Sequence, residues 1–436
     1  MRLPTMRPLC AGLLAAWFGA AAPPASAGPR AEVSASHARD LVQSAADGDV
    51  FALRRALPTL APRWQTLGRA RLAAGVLDED QAISLAEAFV AASAAGDCDV
   101  ALAQSVIADA AFAGGRYARA AAGAGARAAA LERCHGSADE IEGAATMLTL
   151  AGRLAKAPAQ RTLAFTPTAE RWARDKVGLP RAQVTINGHA QEAVLDTGAN
   201  LSVVSATTAK RLGLRMLGEA GVGSSSRQVV ATKVAVADRL ELAGLVLEHV
   251  AFLVLDDDQL EMPVPGGYRI DAIVGFPVFR AMQRVRFGHD GTLRPEPGAG
   301  DADAPSNLAL AGSDLFVDAR VGGIDVPLHL DSGGSASSLS PRFAQAHPQV
   351  LQGLAESRQR LAGAGGATER AIANWSQVRV ETGGHGTVLA QLPVALKDAA
   401  DVRVRTQGVL GWDVLGAFDA WTVDFEHMRL ELGAPL

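Results

Sequence analysis

Apolar and polar positions alternate in two different rhythms along this chain. From about Ser34 to Lys156 apolar residues return at three- and four-residue steps, as in "AISLAEAFVAASAAG" (Ala82–Gly96) and "VALAQSVIADAAFAGGRYARAAAGAGARAAALERC" (Val100–Cys134). That period places one apolar stripe on a helix, and the Gly residues between runs separate one helix from the next. β-branched runs and two-residue hairpin turns are missing here, so residues 31–160 read as an all-α domain. "FAGGRYARAAAGAGARAAAL" (Phe112–Leu131) resembles part of a tetratricopeptide-type repeat, but no three copies recur at a fixed period.

After "KAPAQRTLAFTP" (Lys156–Pro167) the period shortens to two, which predicts strands. "AQVTINGHAQEAVLD" (Ala182–Asp196) reads as strand, Asn187-Gly188 turn, strand and a terminal Asp; "DARVGGIDVPLHLD" (Asp318–Asp331) repeats this around Gly322-Gly323. The spacing from turn to Asp is the same in both (196 − 188 = 8 and 331 − 323 = 8). Each Asp is followed by a Gly-rich segment, "GEAGVGSSSR" (Gly218–Arg227) or "LAGAGGATER" (Leu361–Arg370), then by a hairpin-like pair of apolar runs. Next comes an apolar-apolar-Gly triplet, with Gly275 lying 275 − 196 = 79 past its Asp and Gly411 lying 411 − 331 = 80 past its own. Each half closes on a short strand, "QRVRFG" or "WTVDFE". This ordered set of spacings is an internal duplication. It predicts two tandem β lobes, 181–293 and 308–436, joined by the aperiodic linker "RPEPGAGDADAPSN" (294–307).

Composition narrows the function classes. With 436 residues, 49% hydrophobic and 20% charged, the chain is globular and long enough for two or three domains. A net charge of −5 without any Lys/Arg block gives no footprint for nucleic acid. Arg2 and Arg7, the apolar Leu9–Ala22 and the small residues Ala25-Ser26-Ala27 read as a secretory signal over 1–27, with a periplasmic or secreted product. The rest of the chain has no apolar run long enough to span a bilayer, so stable membrane insertion is not expected. Cys10 leaves with the signal. Cys98 and Cys134 remain, either as a disulfide permitted in an exported protein or as two free thiols.

The duplicated Asp carries the chemistry. Two lobes related by a pseudo-twofold axis bring equivalent positions together, so Asp196 would face Asp331. Paired carboxylates cannot both ionise easily and hold one proton between them, which suits acid/base activation of a water. Thr197 and Ser332 carry hydroxyls able to tie the loops together, while Gly198 and Gly333 allow a sharp turn and close approach. The nine His form no His-Glu-x-x-His, no Ser sits in Gly-x-Ser-x-Gly, and no metal set or cofactor is expected. Trp375, Trp412 and Trp421 are expected in the core of the second lobe.

In these features the chain resembles the retropepsin- and pepsin-like aspartic proteases, as a single chain of two retropepsin-like lobes over roughly Ala182–Leu432. The resemblance implies an all-β bilobal aspartic-protease-like fold after the helical domain. It also implies an aspartic endopeptidase with catalytic Asp196 and Asp331, working on an extended polypeptide without cofactor. Ile273-Val274-Gly275 and Val409-Leu410-Gly411 would buttress the catalytic loops, and flaps would form around Gly221 and Gly223 and around Gly363 and Gly365. Gly334 departs from the Ala, Ser or Thr usual after the motif, and neither flap segment holds a Tyr. With no hydroxyl at Ala199 or Gly334, activity is expected nearer neutral than strongly acidic pH. The helical domain is open to docking a protein partner, to covering the cleft, or to packing alone. The alternative function is a non-catalytic peptide-binding or scaffold protein that keeps the cleft; a site completed by dimerisation is a further possibility.

Overall fold

The computed structural model describes residues 34–223, 229–262, 266–363, 366–396 and 406–436. The leader read over 1–27, with Cys10, lies outside these residues, as do Ser224-Ser225-Ser226 and Gly365. Helices Ala35–Ala45, Val50–Ala56, Pro62–Gly75, Glu79–Ala92, Val100–Ala113, Tyr117–Arg133 and Ala138–Leu154 form the first region. Ser34, Asp78 and Ser137 cap three of them through their side-chain oxygens, and Ser137 completes a capping box with Glu140. The Gly-rich helix Tyr117–Arg133 packs against the helix before it. A Cβ at Gly123 would lie 3.0 Å from the backbone N of Ala108, so the small residue sets that approach. Cys98 and Cys134 are joined by a disulfide that ties the start of Val100–Ala113 to the end of Tyr117–Arg133.

The duplicated pattern folds twice in the same way. Pro180–Ile186 and His189–Leu195 pair as a hairpin, as do Asp314–Val321 and Ile324–Leu330. The turns take left-handed backbone at both central residues (Asn187 φ 49°, Gly188 φ 79°; Gly322 φ 55°, Gly323 φ 86°), the geometry that favours Asn and Gly. Ala272–Val274 inserts parallel to His189–Leu195 and antiparallel to Ser202–Ser205. Gly408–Leu410 inserts identically between Ile324–Leu330 and Ser338–Leu339. Each lobe also extends a long hairpin, Arg215–Gly223 with Val229–Leu242 and Glu356–Gly363 with Gly366–Thr382. Two strands precede the first duplicated hairpin: Arg161–Phe165 pairs with Leu245–Leu255, and Glu170–Arg174 with Pro180–Ile186.

The lobes share a sheet in the order Arg429–Leu432, Ala420–Asp424, Arg284–Gly288, Thr292–Pro295, Glu170–Arg174. This seam corrects the placement of two tryptophans. Trp421 stacks on Phe287 of the first lobe at 4.0 Å between ring centroids, and Trp412 stacks on Trp172 at 5.3 Å. Both therefore bury the lobe junction. Only Trp375 stays within the second lobe, 6.4 Å from Phe343. The linker is likewise partly structured: its first residues complete the strand Thr292–Pro295, and Glu296 binds the guanidinium of Arg284.

The helical region packs on both lobes. One contiguous apolar cluster joins Leu150 and Leu154 to Val194, Val203, Ala220 and Ile273 of the first lobe and to Ala309 and Phe316 of the second. Arg153 Nε donates to the carbonyl of Glu219, in the long hairpin of the first lobe, at 3.1 Å. Asp49 accepts from Arg342 and from Gln407 Nε2 (2.8 Å) of the second lobe.

Candidate active site

Asp196 and Asp331 each leave the end of a hairpin strand, where the inserted strand holds them. Asp196 N donates to Val274 O at 3.0 Å, and Asp331 N donates to Leu410 O at 3.0 Å. The hydroxyls of the next residues cross the pseudo-twofold axis. Thr197 N donates to Ser332 Oγ (2.9 Å) and Ser332 N to Thr197 Oγ1 (3.1 Å). The same hydroxyls donate onward to the carbonyls of Leu330 (3.3 Å) and Leu195 (3.0 Å). Thr197 and Ser332 are 2% and 0% exposed, so these bonds face no competition from water. The two carboxyl groups are thereby brought face to face, with Asp331 Oδ1 and Asp196 Oδ1 at 3.0 and 3.2 Å from where a Gly198 Cβ would stand.

The glycines of this motif are fixed by space. A Cβ at Gly333 would lie 2.5 Å from Asp196 Cγ, and one at Gly198 would lie 3.0 Å from Asp331 Oδ1. Gly198 N donates to Asp196 Oδ1 at 2.8 Å; Gly334 N donates to the main-chain carbonyl of Asp331 at 3.2 Å, and the N–H groups of Gly333 and Gly334 favour the ionised Asp331 carboxyl. Gly334 thus serves the second aspartate through its backbone. Behind the loops, a Cβ at Gly275 would meet Ala199 O at 2.6 Å, and one at Gly411 would meet Ala336 C at 2.8 Å. Phe276 N donates to Ala199 O (2.8 Å) and Trp412 N to Gly334 O (3.0 Å), so each apolar-apolar-Gly triplet braces the loop of its own Asp. Sequence reasoning missed the serines that anchor these glycines. Gly275 N donates to Ser202 Oγ (3.2 Å) and Gly411 N to Ser337 Oγ (3.0 Å). Their signal was present, since each Ser stands at the same distance past its Asp (202 − 196 = 6, 337 − 331 = 6).

Burial raises the pKa of both aspartates. Asp196 is pushed up to about 7, by burial first and then by the facing negative charge of Asp331. For Asp331 the hydrogen bonds from Asp196, Gly333 and Gly334 oppose the burial. Two facing carboxyls whose ionised forms are both disfavoured share one proton and titrate together.

Among the flap residues, Gly221 and Gly223 lie on Arg215–Gly223 opposite Ala231 and Val229, and Gly363 pairs with Gly366 across the tip of the second hairpin. Cys98 and Cys134 sit in the helical region and take no part in the dyad. A cavity of about 340 Å³ between the helical region and the lobes is lined by Tyr117, Arg280, Asn200 and Ser313; it touches the first catalytic loop at Asn200 without reaching the aspartates.

Residues 182–278 and 317–414 each match the model of a family described as aspartyl protease, one match per lobe. No curated protein matches the chain.

Proposed function

We propose that this chain, which carries two tandem lobes of the aspartyl protease family, is an aspartic endopeptidase in which Asp196 and Asp331 share the activation of one water. The observation that carries this reading is the reciprocal Thr197–Ser332 hydrogen bonding, which fixes the two carboxyls against each other across the axis. The ionised member takes a proton from the water as its oxygen bonds to the peptide carbonyl carbon. The protonated member donates to the carbonyl oxygen. The tetrahedral species collapses as the C–N bond breaks and the departing nitrogen takes a proton from the dyad. The net reaction consumes one water, with no covalent enzyme intermediate.

The substrate is an extended polypeptide lying between the lobes beneath the long hairpins, bonded through its backbone as an added strand. The Cys98–Cys134 disulfide supports an oxidising, exported setting, in keeping with the leader read over 1–27. The contact of Arg153 with Glu219 favours a role for the helical region in bracing the first hairpin. A non-catalytic cleft drew its argument from Gly334, whose backbone N–H favours the ionised form of Asp331, and this supports the catalytic reading over it.

The test is hydrolysis of a diverse peptide library by the protein from Gly28 onward, beside Asp196→Asn and Asp331→Asn. Both variants are expected to stay folded and to lose more than about 1,000-fold in kcat/KM, in line with removal of a catalytic acid or base. Peptide binding without cleavage by the wild type would replace this reading with the scaffold one.

A further inference from the structure

The hairpin of the second lobe places a third carboxylate at the level of the dyad. Phe316 stands opposite His329, and the same register carries Asp314 to the level of Asp331. Residues two apart share a face of a strand, so Asp314 and Phe316 on one strand and His329 and Asp331 on the other line one surface, which the helical region covers at Phe316 and leaves partly open at Asp314. The rings of Phe316 and His329 are 5.8 Å apart. Beside Asp314, Ser313 Oγ accepts from Asn200 Nδ2 of the first catalytic loop at 3.0 Å. Asp314 therefore stands at the level of Asp331, next to a residue that meets the Asp196 loop.

The duplication supplies an internal control. In the first lobe Arg181 is opposite Val194, so Leu179 holds the position that Asp314 holds in the second. The positions at this level are thus Leu179 and Val194 on one side of the axis and Asp314 and His329 on the other. An Asp and a His stand on one side where the other side has a Leu and a Val.

Asp314 is half-buried, and its carboxylate has no hydrogen bond or ion pair among the described residues. Its charged surroundings are His329 and Asp331, and burial holds its pKa above the ordinary carboxylate value. His329 Nε2 is buried without a hydrogen-bond partner. A desolvated carboxylate without a donor discriminates strongly between a cationic guest and an apolar one of equal length, because the apolar guest leaves it unpaired.

We propose that Asp314 selects a lysine or arginine side chain next to the scissile bond, on the second-lobe side of the cleft. This rests on the peptidase reading for what is bound, and extends it to the substrate class.

The experiment compares paired peptides that differ only in lysine or norleucine at each position flanking the cleaved bond, with wild type, Asp314→Asn and Asp314→Leu. The lysine peptide is expected to have a kcat/KM at least about 10-fold higher at one position, and both variants are expected to bring that ratio close to 1. Asp314→Asn keeps the side-chain shape and guards against misfolding of the Leu variant. The same pair made as uncleavable reduced-amide peptides is titrated calorimetrically. Lysine preference in binding without turnover by wild type would sink the peptidase reading and keep this inference. Turnover without lysine preference, or a preference that survives in Asp314→Asn, would overturn this inference alone. Neither turnover nor lysine-dependent binding would overturn both.

Discussion

Thr197 and Ser332 each give a backbone N–H to the other's hydroxyl across the lobe junction, at 2.9 and 3.1 Å, and each passes its own hydroxyl proton to the carbonyl of the strand preceding its partner's loop. Four bonds thus depend on two side-chain oxygens. Thr197→Val and Ser332→Ala should each strand a buried N–H, at a cost of about 1–3 kcal/mol. Either change already breaks the exchange, so the double variant should lose less than the sum of the singles. Urea melts of the four proteins check this; strict additivity would mean that the two hydroxyls act independently.

The pKa of Asp196, raised to about 7, has consequences for both activity and stability. The dyad needs one proton, so kcat/KM should fall as pH rises through about 7, and the maximum should not lie below pH 4. In stability the native state holds a proton that the unfolded chain, with Asp near its ordinary value, has released. Native protein therefore binds more protons between that value and about 7, and stability falls as pH rises across the window. Asp196→Asn removes the penalty. Its melting temperature should exceed that of wild type at pH 8 and match it near pH 3. An equal difference at both pH values would contradict the assigned cause.

Arg284 is an ionic node on the shared sheet. Its guanidinium reaches Glu296, Glu431 (2.6 Å) and Asp424 (3.8 Å), and the Asp424 side chain is 0% exposed. Arg284→Met would keep much of the packing but leave Glu296 without its cation and strip one partner from Glu431 and from the buried Asp424, which keep Arg429 and His427, at a cost of about 3 kcal/mol. Because Arg284–Gly288 pairs with Ala420–Asp424 of the other lobe, the loss should also expose this seam to limited proteolysis. Cleavage confined to the lobe surfaces, with an unchanged urea midpoint, would show that the node carries no stability.

The disulfide closes a loop with a sequence separation of 36 between Cys98 and Cys134. On chain-entropy grounds its removal should cost about 3–4 kcal/mol. Cys98→Ser with Cys134→Ser, or reduction by dithiothreitol, should lower the melting point of the helical region, read by circular dichroism at 222 nm. Identical melting with and without reductant would place the stabilisation elsewhere.

The sequence by itself determined both hairpins and the equivalent positions of Asp196 and Asp331. An Asn-Gly or Gly-Gly turn needs left-handed backbone, the period of two fixes which face is buried, and a spacing repeated after each turn marks equivalent positions. The helical region was legible for the same reason, since its three- and four-residue steps are local. Tertiary structure alone decided the seam. Trp412 and Trp421 look like core residues of their own lobe in any local pattern, and only the meeting of Ala420–Asp424 with Arg284–Gly288 puts them against Trp172 and Phe287. It also decided Asp314, which in "GSDLF" reads as an ordinary turn residue. Its level beside Asp331 comes from cross-strand register, and the contact of its neighbour Ser313 with the Asp196 loop from the docking of two lobes. Periodicity reports which face a residue takes, whereas a partner distant in sequence is chosen by packing.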